Sequence, residues 1–281
     1  MILKVNILVS YAYLTESIIK ELQTYEDQIN LLIDSGAFTA WKQKKEITLN
    51  EYCDFMDSCP LKPMQFFTLD EIGNPKRTKD NYIELKSRGY NVLPIFTHNA
   101  ELDDLEFYYQ DTDFIGYGGI AGKRDKKFLQ RFNKVLKQIN NRQVHLLGVT
   151  NEKILKKFKP YSCDSSSWTS AGRYGTSAVY VGNGKMKLLN RLDCVKAPDK
   201  QVQQALKRLG FNVGELQNEA NWHGANSVVN QVTCRGWVKF SLEAEAILNT
   251  RIFLVVVTAE EVKQIIEQFQ YLKENKLCPK H

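Results

Sequence analysis

Leu31-Leu32-Ile33-Asp34-Ser35-Gly36-Ala37-Phe38 is an apolar run that ends in an acid and then turns. Tyr161-Ser162-Cys163-Asp164 repeats the pattern and leads into Ser165-Ser166-Ser167-Trp168-Thr169-Ser170-Ala171-Gly172-Arg173-Tyr174-Gly175. Short apolar segments giving way to a carboxylate and small residues are what buried strands look like as they surface at a functional rim. Asp followed by Ser and Gly is also the pattern of a plain turn or a helix N-cap. Two such carboxylates suit a glycosyl-transfer site, one as nucleophile and one as acid/base.

Outward from these stretches, apolar runs alternate with amphipathic ones. Strands are expected at Val5–Val9, Leu31–Ile33, Gln65–Leu69, Asn91–Phe96, Phe114–Tyr117, Val144–Leu147, Tyr161–Cys163 and Ile252–Val257. Helical spacing covers Thr15–Leu22, Leu49–Met56, Thr78–Ser87, Lys127–Ile139 and Glu152–Phe158, with Asn151 as the cap of the last and Gly89 ending the third. Eight strands alternating with helices predict an α/β fold of the closed (β/α)8, TIM-like kind. Residues 165–250 are too long for an ordinary crossover and form an insertion within this one barrel domain, 1–281. It is expected on the side where the strands' C-terminal ends carry the chemistry. Gly182-Asn183-Gly184 reads as a hairpin turn there, followed by a helix near Lys200–Leu209 and a polar piece from Asn212 to Asn230. Ala259–Asn275 closes the chain as an amphipathic helix.

The 281 residues carry a net charge of +6, with basic clusters at 123–127 and 153–159 and again at Lys185, Lys187, Arg191 and Lys196. That bias fits a nucleic-acid backbone, and solvated helix faces would look similar. No apolar run approaches the roughly 20 residues that span a bilayer. The N-terminus lacks the basic region of a secretory signal. The six cysteines form no close pair, which predicts free thiols and a cytoplasmic protein.

In a (β/α)8 barrel the binding residues follow the strands' C-terminal ends. Here those positions hold Asp34-Ser35-Gly36, Asp70-Glu71, Thr97-His98, Gly116 to Gly119, Leu147-Gly148 and Asp164. Gly118-Gly119 would let a flat ligand approach the backbone, or simply make a tight turn. His98 is either a catalytic group or a satisfied polar residue.

The order Asp34-Ser35-Gly36-Ala37-Phe38, Leu69-Asp70-Glu71, Ile115-Gly116-Tyr117-Gly118-Gly119-Ile120-Ala121, His145-Leu146-Leu147-Gly148-Val149 and Asp164…Thr169-Ser170-Ala171-Gly172-Arg173-Tyr174-Gly175 resembles the guanine transglycosylases. These are the queuine and archaeosine tRNA-ribosyltransferases and their relatives that place 7-deazaguanines in DNA. The resemblance spans about residues 31 to 176. It implies Asp164 as nucleophile, Asp34 as general acid/base, and Asp70 as the acid that binds the guanine edge. Ser35, Gly118, Gly119, Leu147 and Gly148 would shape the base pocket and Arg173 would meet the polynucleotide backbone; by its place in the basic clusters, Lys185 is expected to meet that backbone too. Phe96-Thr97-His98-Asn99 stands where the family has Gln-Gly-Gly, so His98 or Asn99 is expected to take over a contact to the base. Ala37 replaces a family glycine, and Trp168, new to its loop, is expected to pack rather than stack on a base.

The tRNA enzymes' closely spaced Cys-x-Cys-x-x-Cys…His zinc signature is missing. Cys194, His223, Cys234 and Cys278 are scattered, so no metal or other cofactor is expected beyond the co-substrate, a free 7-deazaguanine base. That absence, the short chain and the lack of an appended RNA-binding domain favour DNA over tRNA as polymer partner, with homodimerisation left open. A barrel that binds nucleic acid without chemistry is the rival of another class. The retained pair Asp34 and Asp164 argues against it, because carboxylates repel a polyanion.

Overall fold

Each of the eight apolar runs forms a strand. The computed structural model describes residues 3–122, 125–171, 175–191, 199–222, 224 and 227–279. Its strands are β1 (Val5–Ser10), β2 (Ile29–Asp34), β3 (Gln65–Phe67), β4 (Val92–Leu93), β5 (Ile95–Thr97), β6 (Phe114–Gly118), β7 (Gln143–Leu146), β8 (Ser162–Ser165), β9 (Thr176–Gly182), β10 (Lys185–Asn190) and β11 (Arg251–Val256). The order β4-β3-β2-β1-β11-β8-β7-β6-β5 uses parallel pairing at every step. The result is a nearly closed parallel barrel of the TIM type.

The break in the ring has a local cause. Pro94 has no N–H to give to a ladder, so the run Val92–Thr97 is split. β4 pairs with β3 and β5 with β6, while the Pro94 carbonyl still accepts from the Gly116 N–H at 2.8 Å. β4 and β5 therefore share one barrel position.

Around the barrel lie α1 (Glu16–Thr24), α2 (Ala37–Lys42), α3 (Leu49–Ser58), α4 (Pro75–Ser87), α5 (Asp103–Asp111), α6 (Lys126–Ile139), α7 (Glu152–Phe158), α8 (Lys200–Arg208), α9 (Val213–Gln217), α10 (Val228–Leu248) and α11 (Ala259–Glu274). Their starts follow the capping chemistry of the sequence. Thr48 and Glu51 form a reciprocal capping box, and Asn151 accepts from the first turn of α7. In α6, Phe128, Phe132, Val135, Leu136 and Ile139 recur at helical spacing and are all buried. Each such side chain contributes about 1.5–3 kcal/mol by leaving water. Among the described residues no helix is long and apolar enough to cross a membrane.

Alternation along the strands divides the buried residues into two sets. Leu8, Leu32, Phe67, Leu93, Ile95 and Phe253 fill the barrel interior. Their neighbours, such as Ile7, Val9, Ile33 and Leu254, face outward and join the helices in the larger cluster. β1 is buried at all six positions because both of its faces are covered.

The insertion is not confined to the barrel's C-terminal side, where the sequence had placed it. β9 and β10 form the expected hairpin, with Asn183 at φ 54° between two glycines that also have positive φ. β9 packs against α10 along its length: Ser177 Oγ lies 3.1 Å from Thr233 Oγ1, and Gly184 adjoins Leu248 at the other end. Leu248 ends α10 just before β11 begins, so the hairpin turn reaches the N-terminal end of the barrel. α10 itself, which the sequence pattern did not reveal, is the crossover helix between β8 and β11. It is buried nearly all round because β9 covers the side that an ordinary barrel helix exposes.

Candidate active site

β2 delivers Asp34 at its last position, level with Ser10 of β1. The carboxylate then makes an Asx turn, Oδ2 accepting from the Gly36 N–H at 3.0 Å, and Gly36 at φ 82° starts α2. A side chain on Gly36 would meet Ala12 at 2.8 Å, so the tight turn also depends on close approach. The plain-turn reading of Asp-Ser-Gly is thus met by these residues.

Ser35 is fully buried and its Oγ donates to Asp70 Oδ1 at 3.2 Å. Asp70 sits in the loop after β3, which α4 holds from behind. Asn81 Nδ2 donates to the Leu69 carbonyl at 2.9 Å, and Thr78 Oγ1 accepts from the Glu71 N–H at 2.8 Å. Tyr52 fixes the strand end by donating to the Phe67 carbonyl at 2.8 Å.

Asp164 is an inward residue of β8. Its Oδ1 accepts from the Gly148 N–H at 2.8 Å and lies 3.1 Å from His145 Nε2. His145 is fully buried between Phe67 and Phe253, and its Nδ1 lies 2.9 Å from Ser162 Oγ. An ionised Asp164 requires the Nε2–H tautomer, so that Nδ1 accepts from the Ser162 hydroxyl. Gly148 has φ 69°, and a Cβ there would meet that of Ala121 at 2.9 Å, so glycine is needed to aim this N–H.

Two of the three acids, Asp34 and Asp70, are displaced from the ordinary carboxylate range. Burial pushes Asp34 up to about 6, and the Asp164 charge adds to the rise, against the Gly36 N–H and the Ser10 hydroxyl. Burial followed by the Asp34 charge pushes Asp70 up to about 7, against the Ser35 hydroxyl. Two groups that exchange protons near neutrality therefore adjoin a carboxylate fixed by two donors. Such a constellation can attack at carbon and move a proton.

Of the remaining expected residues, Gly118 ends β6, Gly119 follows it and Leu147 lies opposite the strand. A Cβ on Gly116 would sit 3.2 Å from Leu147 Cδ1, so Leu147 leans over the side-chain-free inner face of β6. His98 is not brought to the carboxylates. Its ring lies 4.3 Å from that of Phe128 of α6, and Nδ1 meets the Tyr117 hydroxyl at 2.6 Å, behind the barrel wall. Asn99 donates to the Gly73 carbonyl instead. Lys185 lies at the hairpin turn, at the opposite end of the barrel from Asp164. Arg173 lies outside the described residues. Trp168 packs as expected, donating from Nε1 to the Val255 carbonyl at 2.8 Å.

His145 is the residue whose part the sequence reading missed. Its signal was available: it occupies the inward position of β7 two residues before Leu147, where an apolar residue would be ordinary. No three His, Cys, Asp or Glu among the described residues gather so as to hold a metal ion. Cys194 and His223 lie outside those residues. A cavity of about 400 Å³ opens beside Asp70, lined by Ala37, Ala40 and Trp41 of α2 and by Leu69 to Ile72. No protein-family model matches the chain, and no curated protein matches it.

Proposed function

We propose that this protein is a base-exchange transglycosylase that replaces guanine in DNA by a 7-deazaguanine. The observation that carries this reading is the convergence of Asp34, Asp70 and Asp164 on the C-terminal ends of three barrel strands, with the pKa of Asp34 and Asp70 raised towards neutrality. The order of motifs around them adds the base-exchange chemistry.

Asp164 attacks C1′ of the target nucleoside, forming a C1′–O ester as the C1′–N9 bond breaks. Guanine leaves with that electron pair and takes a proton from Asp34. The incoming base then gives its N9 proton to the Asp34 carboxylate and attacks C1′, which breaks the ester and frees Asp164. His145 and Gly148 hold Oδ1 and so orient the nucleophile. Asp70, with Ser35 fixing Oδ1, accepts from the N1–H and exocyclic amine of the base. The target must leave the duplex stack, or be unpaired, to reach the site.

The test incubates the protein with guanine-containing DNA and with tRNA, each with labelled 7-cyano-7-deazaguanine. The expected result is label in DNA, abolished in Asp164→Ala. Label in tRNA alone overturns the choice of DNA, and label in neither overturns the reaction.

A further inference from the structure

α2 carries two large rings into solvent. Phe38 is 52% and Trp41 57% exposed, and their rings stack with centroids 6.0 Å apart and planes 24° from parallel. Lys42 Nζ lies 4.3 Å from the centre of the Phe38 ring. The other tryptophans, Trp168, Trp222 and Trp237, are all buried. A helix that turns its bulkiest apolar residues outward gains nothing in stability from them, which marks the surface for a partner.

What the partner is follows from the neighbours. Trp41 also lines the cavity that contains Asp70, so the exposed ring is the rim of the acid site. The chain after α2 folds back on the helix: the Lys44 N–H bonds to the Trp41 carbonyl and the Lys45 N–H to that of Ala40. Lys44 adopts φ 54°, a conformation uncommon outside glycine, to make this turn. Lys42 lies over the Phe38 ring of the stacked pair, and Lys44 and Lys45 line the same cavity as Trp41. An exposed ring flanked by cations suits a nucleobase with its phosphate. Glu46 and Glu71 line that cavity as well.

We propose that Trp41 is a stacking platform for the nucleobase adjoining the one held at Asp70, with Lys44 and Lys45 on the phosphate between them. The site therefore takes an unpaired strand, because a base offers its face to Trp41 only when it has left its own stack. This deepens the base-exchange reading and rests on it for the class of polymer, while binding at Trp41 needs no chemistry.

The experiment uses fluorescein-labelled oligo(dT), which holds no guanine to exchange, and follows its anisotropy. Trp41→Ala is expected to weaken binding about fivefold or more, the range for losing one base–aromatic stack, while Trp41→Phe retains most of the affinity. Tryptophan emission is expected to be quenched on binding to the wild type and not to Trp41→Phe. Lys44→Ala with Lys45→Ala is expected to lower affinity and flatten its salt dependence. Thermal melts of the variants check that they are folded.

Oligo(dT) binding unchanged in Trp41→Ala overturns the platform, as does a duplex that binds as tightly as the single strand. Self-association in sedimentation that Trp41→Ala abolishes assigns the surface to a second copy and overturns it too. Base exchange that fails while Trp41-dependent binding persists retires the transglycosylase reading and leaves the platform standing. Exchange that proceeds with Trp41-independent binding does the reverse.

Discussion

Asp70 has its carboxyl raised from an ordinary 3.8 to about 7 by burial and by the charge of Asp34. A folded-state value above the unfolded one means that the native protein holds this proton more tightly. The stability tied to it is full below about pH 4 and is lost as pH rises through 7. Asp70→Asn removes the charge and keeps the shape, so it is expected to gain stability over the wild type as pH rises from 5 to 8. A gain of about 1–2 kcal/mol is the usual scale for relieving strain at a functional site. Denaturant melts at both pH values check this, and a difference that does not change with pH would contradict it. His145 shows the complementary case, a buried ring whose two nitrogens are both engaged and whose position fixes Asp164.

The β9–β10 hairpin and α10 depend on one close approach. A Cβ on Gly236 would lie 3.1 Å from the Ala178 carbonyl oxygen and 3.2 Å from the Tyr180 nitrogen, both backbone atoms of β9. Helix propensity favours replacing this glycine, and the strand backbone opposes it. Gly236→Val adds an isopropyl group of three carbons against that backbone and is expected to destabilise by about 1–3 kcal/mol, read from a shift of the denaturation midpoint. At this scale the sequence was readable where an element buries one face. α6 and α11 announce themselves by periodicity, and each barrel strand by a short apolar run. α10 did not, because burial on every side leaves no polar stripe to set its period. α2 is only six residues long, buries Ala37 and Ala40 and leaves Phe38 and Trp41 exposed, so no apolar stripe marked it as a helix.

Because α10 is shared, the molecule has no obvious line of division. It packs on β11, β1 and α11 towards the barrel and on β9 towards the insertion. Heating is expected to give a single transition, coincident by far-ultraviolet circular dichroism and by tryptophan fluorescence. Trp222 and Trp237 report the insertion and Trp168 the barrel's end. Two separated transitions would mean that the insertion folds as its own unit. Strand positions, helix caps, the hairpin turn and the candidate acids Asp34, Asp70 and Asp164 were all set by local chemistry, and so could be read along the chain. The outward turn of His98, the distance of Lys185 from the acids and the clasp of His145 on Asp164 were decided by tertiary structure alone. Each is a relation between residues far apart in sequence, fixed by which faces of packed elements meet.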